Sequence, residues 1–96
     1  MVKLIKHLNL PVSFIRESNQ FVAYTPALDL STSGATLEDV KKNFTEAVEL
    51  FFEEIIAMGT LEDVLLDLGW KKQEHSFTRP VVVSQGMESV RFPFAQ

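Results

Sequence analysis

The apolar and polar positions of this chain change period along its length. Val12, Phe14 and Arg16 alternate with Ser13, Ile15 and Glu17. Period-two alternation with β-branched and aromatic residues predicts a strand. Glu17-Ser18-Asn19-Gln20 is polar and turn-like, and Phe21 to Thr25 reads as a second strand, so the two form an antiparallel hairpin. Pro26 lacks an N–H and interrupts regular pairing. Leu28, Leu30 and Thr32 then alternate with Asp29, Ser31 and Ser33, which predicts a third short strand. Gly34 follows and is free to take the positive φ of a turn. Residues 2–10 mix apolar and basic side chains without alternation and read either as the start of a long first strand or as an arm.

After Gly34 the period becomes helical. Leu37, Val40, Phe44, Ala47, Val48, Phe51 and Ile55 recur at spacings of three and four and form one apolar stripe. Thr36 is the expected N-cap, Glu38 and Asp39 suit the positive end of the helix dipole, and Gly59 suits the C-terminal turn. Phe52 and Ile56 widen the stripe. Thr60-Leu61-Glu62-Asp63-Val64 repeats Thr36–Val40 residue for residue, yet the match goes no further. Two independent helix starts with the same capping chemistry explain it better than a solenoid. The second helix carries Leu61, Val64, Leu65 and Leu68 on one face and ends at Gly69, with Trp70 expected to pack back on a helix. Lys71 to Thr78 reads as a polar loop. Pro80-Val81-Val82-Val83 predicts a strand, Gln85-Gly86-Met87 a turn, and Val90, Phe92 and Phe94 a final strand that Pro93 confines to an edge or chain end. The whole predicts a single α+β domain over residues 1–96. Its order is β-β-β-α-(α)-β, a small, mainly antiparallel sheet with one long helix packed on it.

Composition narrows the function. The hydrophobic fraction of 46 % and eight Phe supply a core, and the absence of Cys excludes disulfides and thiolate zinc sites. No apolar run reaches the ~20 residues of a membrane span and no signal-peptide pattern opens the chain, so a cytoplasmic protein is expected. Residues 36–75 hold ten acidic and four basic residues, more than the whole net charge of −4. A nucleic-acid binder usually carries a basic patch instead. An acidic helical surface suits a basic protein partner, or simply solvation.

Candidate chemistry is sparse. His7 and His75 are the only histidines and lie far apart in sequence. No metal motif, phosphate loop or nucleophile elbow is present. Asp29 stands in a predicted strand, where a turn-capping or solvated role outweighs a metal site. No catalytic residue, metal or cofactor is expected. Tyr24, the one tyrosine, is a candidate contact because aromatic side chains concentrate in binding hot spots. Val90, Phe92 and Phe94 would leave an apolar edge exposed and are assigned to an oligomer interface, with a homodimer or higher homo-oligomer expected.

Residues 21–52 carry a more specific string: Phe21-Val22-Ala23-Tyr24, Pro26-Ala27-Leu28, Ser31 through Gly34, Thr36-Leu37-Glu38-Asp39 and Glu46-Ala47-Val48-Glu49-Leu50. It resembles the HicB family of antitoxins. The resemblance implies a reduced ribonuclease-H-like domain that neutralises a HicA-like toxin, a small basic ribonuclease that cuts messenger RNA. It makes Tyr24, Asp29, Ser31 and Thr32, around the second and third strands, the expected partner contacts. The chain departs from many members at Ala27-Leu28-Asp29-Leu30-Ser31, which lacks their glycine–cysteine pair. The residues after Phe77 read as strands, not as a DNA-binding domain, so direct DNA binding is not expected. The alternative is a stand-alone RNA-binding module on the same fold, using Tyr24, Arg16, Lys3 and Lys6. A small metal-dependent nuclease would need a carboxylate constellation that the sequence lacks.

Overall fold

A computed structural model describes residues 8–93. It shows an α+β architecture in which three antiparallel strands, β1 (Ser13–Glu17), β2 (Gln20–Thr25) and β3 (Leu30–Gly34), form a sheet in that order. The long helix α1 (Leu37–Ala57) packs on this sheet, a short helix α2 (Leu61–Asp67) follows, and β4 (Lys71–Gln73) with β5 (Ser76–Thr78) closes the order as a hairpin. No helix among the described residues is long and apolar enough to cross a membrane.

The first hairpin forms where the alternation places it. Glu17 pairs with Gln20, leaving Ser18-Asn19 as a two-residue connection. Ser18 has φ 53°, and a positive φ at this position matches the turn to the right-handed twist of the strands. Between β2 and β3 the chain does not run straight on. Pro26 to Asp29 form a turn, and Asp29 takes φ 49°, a conformation Asp tolerates better than most residues. Ala27 and Leu28 in this turn are buried, so the alternation read through Leu28 as strand belongs to a core-filling turn.

The sheet–helix layer is built from Ala23, Val40 and Phe44, flanked by Val12, Phe21, Leu30 and Val48. A second cluster joins Ala27, Leu28, Leu65 and Trp70, with Phe51, Phe52, Leu61 and Phe77 around it. Leu30 and Val48 border both clusters and make the core continuous. Trp70 packs on Leu65 as the apolar pattern implies, and it also donates from Nε1 to the Ala27 carbonyl at 2.7 Å. Leu37, expected on the buried stripe, is 42 % exposed because it sits in the first turn, beyond the sheet's cover.

Gly34 serves a different purpose from the one its type suggests. It ends β3, paired with Phe21, and does not adopt a positive φ. A Cβ there would lie 2.6 Å from the Val40 nitrogen and 2.9 Å from its Cα. The missing side chain lets the helix start pass close against the strand end.

The repeated Thr-Leu-Glu-Asp-Val string is used in two ways. Thr36 is extended at φ −127° and ψ 164°, and its Oγ1 accepts the Asp39 N–H at 3.0 Å. Thr60 has φ −111° and ψ 10° and makes no side-chain cap; its hydroxyl donates back to the Ile55 carbonyl at 3.4 Å. The expectation of common capping chemistry is therefore corrected. Thr60 is engaged by the end of α1: Gly59, at φ 71°, donates to Ile56 at 3.1 Å and Thr60 N–H donates to Ile55 at 2.9 Å. These are the paired bonds of a Schellman end. Gly69 and Trp70 end α2 in the same way, on Leu66 and Leu65. Thr36→Ala is expected to cost about 1 kcal/mol, and Thr60→Ala less than about 0.5 kcal/mol. Urea unfolding of the two variants checks this; equal losses would contradict the difference in capping.

The C-terminal third departs most from the expectation. Lys71 to Thr78, read as a loop, is the β4–β5 hairpin around Glu74-His75, with Phe77 as its anchor on the core. Both hairpin strands are mostly exposed, so no alternating apolar pattern marks them. Conversely, Pro80–Val83 and the described part of Val90–Phe94 are not strands: residues 79–93 have no regular structure. High strand propensity needs a neighbour to pair with, and among the described residues no strand pairs with Pro80–Val83. Phe94 and His7 lie outside the described residues.

Candidate partner-binding surface

Cross-strand partners share a face of a sheet, and alternate residues of a strand change face. Ala23 is wholly buried against α1, so its partners Phe14 and Thr32 belong to the helix side, as does Arg16 two residues beyond Phe14. Lys41 of α1 lies over the Phe14 ring, 5.5 Å from its centroid, on that side. Among the described residues no helix packs on the opposite face. Ser13, Tyr24 and Ser31 form one row across it, and Ile15, Val22 and Ser33 form the next.

Tyr24 therefore stands between two serines, whose short side chains leave its ring accessible. Its hydroxyl donates to Asp29 Oδ1 at 3.0 Å. That hydrogen bond, with burial and the neighbouring negative charge adding to it, raises the Tyr24 pKa above its ordinary value. The phenol thus stays protonated and keeps donating throughout the neutral range. Asp29 retains further acceptor capacity, because an ionised carboxylate offers more than one lone pair. The turn that holds Asp29 is fixed from beneath, where Thr25 Oγ1 accepts the Ala27 N–H at 3.3 Å and Trp70 holds the Ala27 carbonyl. The result is an aromatic ring beside a carboxylate on a sheet face that no helix covers among the described residues, suited to a cationic side chain.

Of the four expected partner contacts, Tyr24, Asp29 and Ser31 come together here. Thr32 does not join them; it pairs with Ala23 and is half-buried on the helix side. Ser13, Ile15, Val22 and Ser33 complete the open face and were missed by the sequence reading. The available signal was parity: in paired strands, these positions match Tyr24. The proposed RNA-contacting set is divided, since Arg16 lies on the face opposite Tyr24, and Lys3 and Lys6 lie outside the described residues. Val90 and Phe92 are exposed on a segment without regular structure.

The acidic helical residues occupy a separate surface. Glu46, Glu49 and Glu53 are exposed on the side of α1 away from Val40 and Phe44, hence on the other side of the molecule from Tyr24. Among the described residues the one ion pair is Lys72 Nζ to Glu62 Oε2 at 3.0 Å, so these three carboxylates are not neutralised by a paired base. A shallow groove of about 430 Å³ lies between the end of α1, α2 and the β4–β5 hairpin, lined by Ile56, Leu61, Glu62, Lys72, His75 and Phe77 among others. The Lys72–Glu62 pair lies at this groove. Among the described residues no three His, Cys, Asp or Glu side chains converge to hold a metal ion. No protein-family model, curated protein or solved structure matches the chain.

Proposed function

We propose that this chain is a HicB-like antitoxin, on a reduced ribonuclease-H-like domain, that binds and neutralises a small basic HicA-like ribonuclease toxin. The observation that carries the reading is the open sheet face, where Tyr24 and Asp29 offer an aromatic ring and a carboxylate to a cationic side chain. The resemblance of residues 21–52 to the family agrees with it. Ser31, paired with Tyr24, belongs to the same contact surface.

The acidic face of α1 is assigned a second role. Because it lies away from Tyr24, it cannot share one flat contact with it. Unpaired charges at that distance act on approach, steering a basic partner before contact. Contact residues and steering residues affect different rate constants. Tyr24→Ala and Asp29→Asn are expected to speed dissociation from the toxin by at least about tenfold, the range of a hot-spot residue. Combined reversal of Glu46, Glu49 and Glu53 to Lys is expected to slow association by about tenfold at low salt, with the difference shrinking as salt rises.

The test begins with the short basic open reading frame, containing a histidine, that should lie beside this gene. Co-expression of the present chain should relieve that protein's toxicity, and surface plasmon resonance should separate the two classes of variant. Absence of such a neighbour, together with no micromolar binding to a HicA-like ribonuclease, would remove the proposal. Equal dissociation rates for wild type and Tyr24→Ala would remove the assigned surface alone.

A further inference from the structure

Among the described residues, a sheet edge and a strand-prone segment both lack a pairing partner. The edge is β1, which pairs with β2 on one side only. All five of its residues are exposed, with Phe14 at 44 % and Ile15 at 47 %. It has no proline and no bulge in its register with β2, the devices that usually protect such an edge. The opposite edge, β3, is attended by α1, where Asn43 donates from Nδ2 to the Ser33 carbonyl at 2.9 Å. β1 is therefore the more open of the two.

The second component is Pro80-Val81-Val82-Val83-Ser84. Val81 and Val83 are 69 % and 94 % exposed. Among the described residues, Val81 to Arg91 make no hydrogen bond. Three successive β-branched residues following a proline suit the beginning of an edge strand. Pro80 starts this segment beside Gly69 at the end of α2, and the residues that follow lie in solvent.

We infer that residues 80–84 of one copy pair as a strand along β1 of a second copy, and that the exchange is reciprocal. Both requirements of strand addition are then met: backbone groups on the edge find partners, and the valines find a surface. A twofold arrangement makes the contact twice. Five paired residues at about 3.4 Å each, with a width of roughly 10 Å, bury roughly 350 Å² of total surface per contact. Two such contacts approach the roughly 1,000 Å² of a specific interface only when neighbouring side chains such as Ile15 and Met87 are added. One contact alone falls well short, which is why exchange is favoured over single docking. Residues 80–87 carry no charge, so pairing with Arg16 and Glu17 of β1 meets no repulsion. This dimer differs from the Val90–Phe94 interface expected from sequence, and it does not rest on the antitoxin reading.

The absence of cysteine makes the test direct. Ile15→Cys is combined in turn with Val81→Cys, Val82→Cys and Val83→Cys, and each full chain is mildly oxidised. At least one pair should give a covalent dimer, while Ile15→Cys alone should not. Sedimentation of the unmodified chain should show a concentration-dependent species of twice 10.9 kDa. Val82→Pro removes an N–H from a segment outside the folded core and should raise the dimer dissociation constant by about tenfold. A monomer up to millimolar concentration, a dimer indifferent to Val82→Pro, or cross-linking only within one chain would overturn the inference. Cross-linking by Ile15→Cys alone would replace it with β1–β1 pairing.

Discussion

Trp70→Ala is expected to lower the unfolding free energy by about 4 kcal/mol. Domains of this size have roughly 5–15 kcal/mol in total, so the variant should be largely unfolded at moderate urea. The size follows from where the ring sits. Trp70 is 5 % exposed and joins Leu65 of α2 to Ala27 and Leu28 of the turn between β2 and β3. Its Nε1 also satisfies the Ala27 carbonyl at 2.7 Å across 43 residues of sequence. Alanine leaves a cavity and an unpaired buried carbonyl together. Trp70→Phe retains most of the apolar volume and isolates the second effect, about 1–3 kcal/mol. Urea unfolding followed by circular dichroism measures both. A loss below about 1 kcal/mol for Trp70→Ala would show that this cluster does not hold the two parts together. The same pair bears on the proposed surface, because the turn fixed by Trp70 carries Asp29. If the proposed function holds, Trp70→Phe should therefore weaken binding of the proposed basic partner without touching the open face.

Gly34→Ala is expected to cost about 3 kcal/mol, near the upper end for an added methyl group in a packed site. The new Cβ would meet the Val40 nitrogen and Cα and the Asp39 carbonyl carbon, at 2.6, 2.9 and 3.0 Å. These are backbone atoms of the first turn of α1, so no rotamer change relieves the clash. The helix start must move away from the strand, and Val40, which is wholly buried, must move with it. Gly86→Ala is the control: its Cβ meets nothing within 4 Å. It should change stability by less than about 0.5 kcal/mol. If Gly34→Ala proved equally mild in urea unfolding, the close approach of β3 and α1 would be refuted.

The elements most legible in the sequence are those whose signal is local. The Ser18-Asn19 connection, the cap at Thr36 and the glycine at the end of α1 depend on neighbours within a few residues. Elements that depend on distant partners were less legible. The β4–β5 hairpin is nearly all polar because both faces are wet, and its one apolar anchor, Phe77, gains meaning only from the Trp70 cluster. Pro80–Val83 has the stronger strand composition, yet among the described residues no strand pairs with it. At the candidate surface, Tyr24 and Ser31 could be named from their place in strands. Their separation from Thr32 required the register. Asp29 was assigned to a strand, and only its positive φ brings its carboxylate to the Tyr24 hydroxyl.

The repeated Thr-Leu-Glu-Asp-Val string draws the boundary most clearly. By itself the sequence determined that each copy starts a helix, because its acids suit the dipole and its Leu and Val lie on one helical face. It also determined the acidic character of the helical region and the alternation of the first hairpin. Tertiary structure decided what each threonine does. Thr36 leaves an extended strand, so its hydroxyl is free to meet Asp39; Thr60 leaves a helix whose last carbonyls engage it first. Tertiary structure also put the acidic stripe and Tyr24 on opposite sides of the molecule. The physical reason is the same in both cases. Composition and period specify what a residue can do within a turn or two of chain, while packing decides which groups are already occupied and which way the rest face.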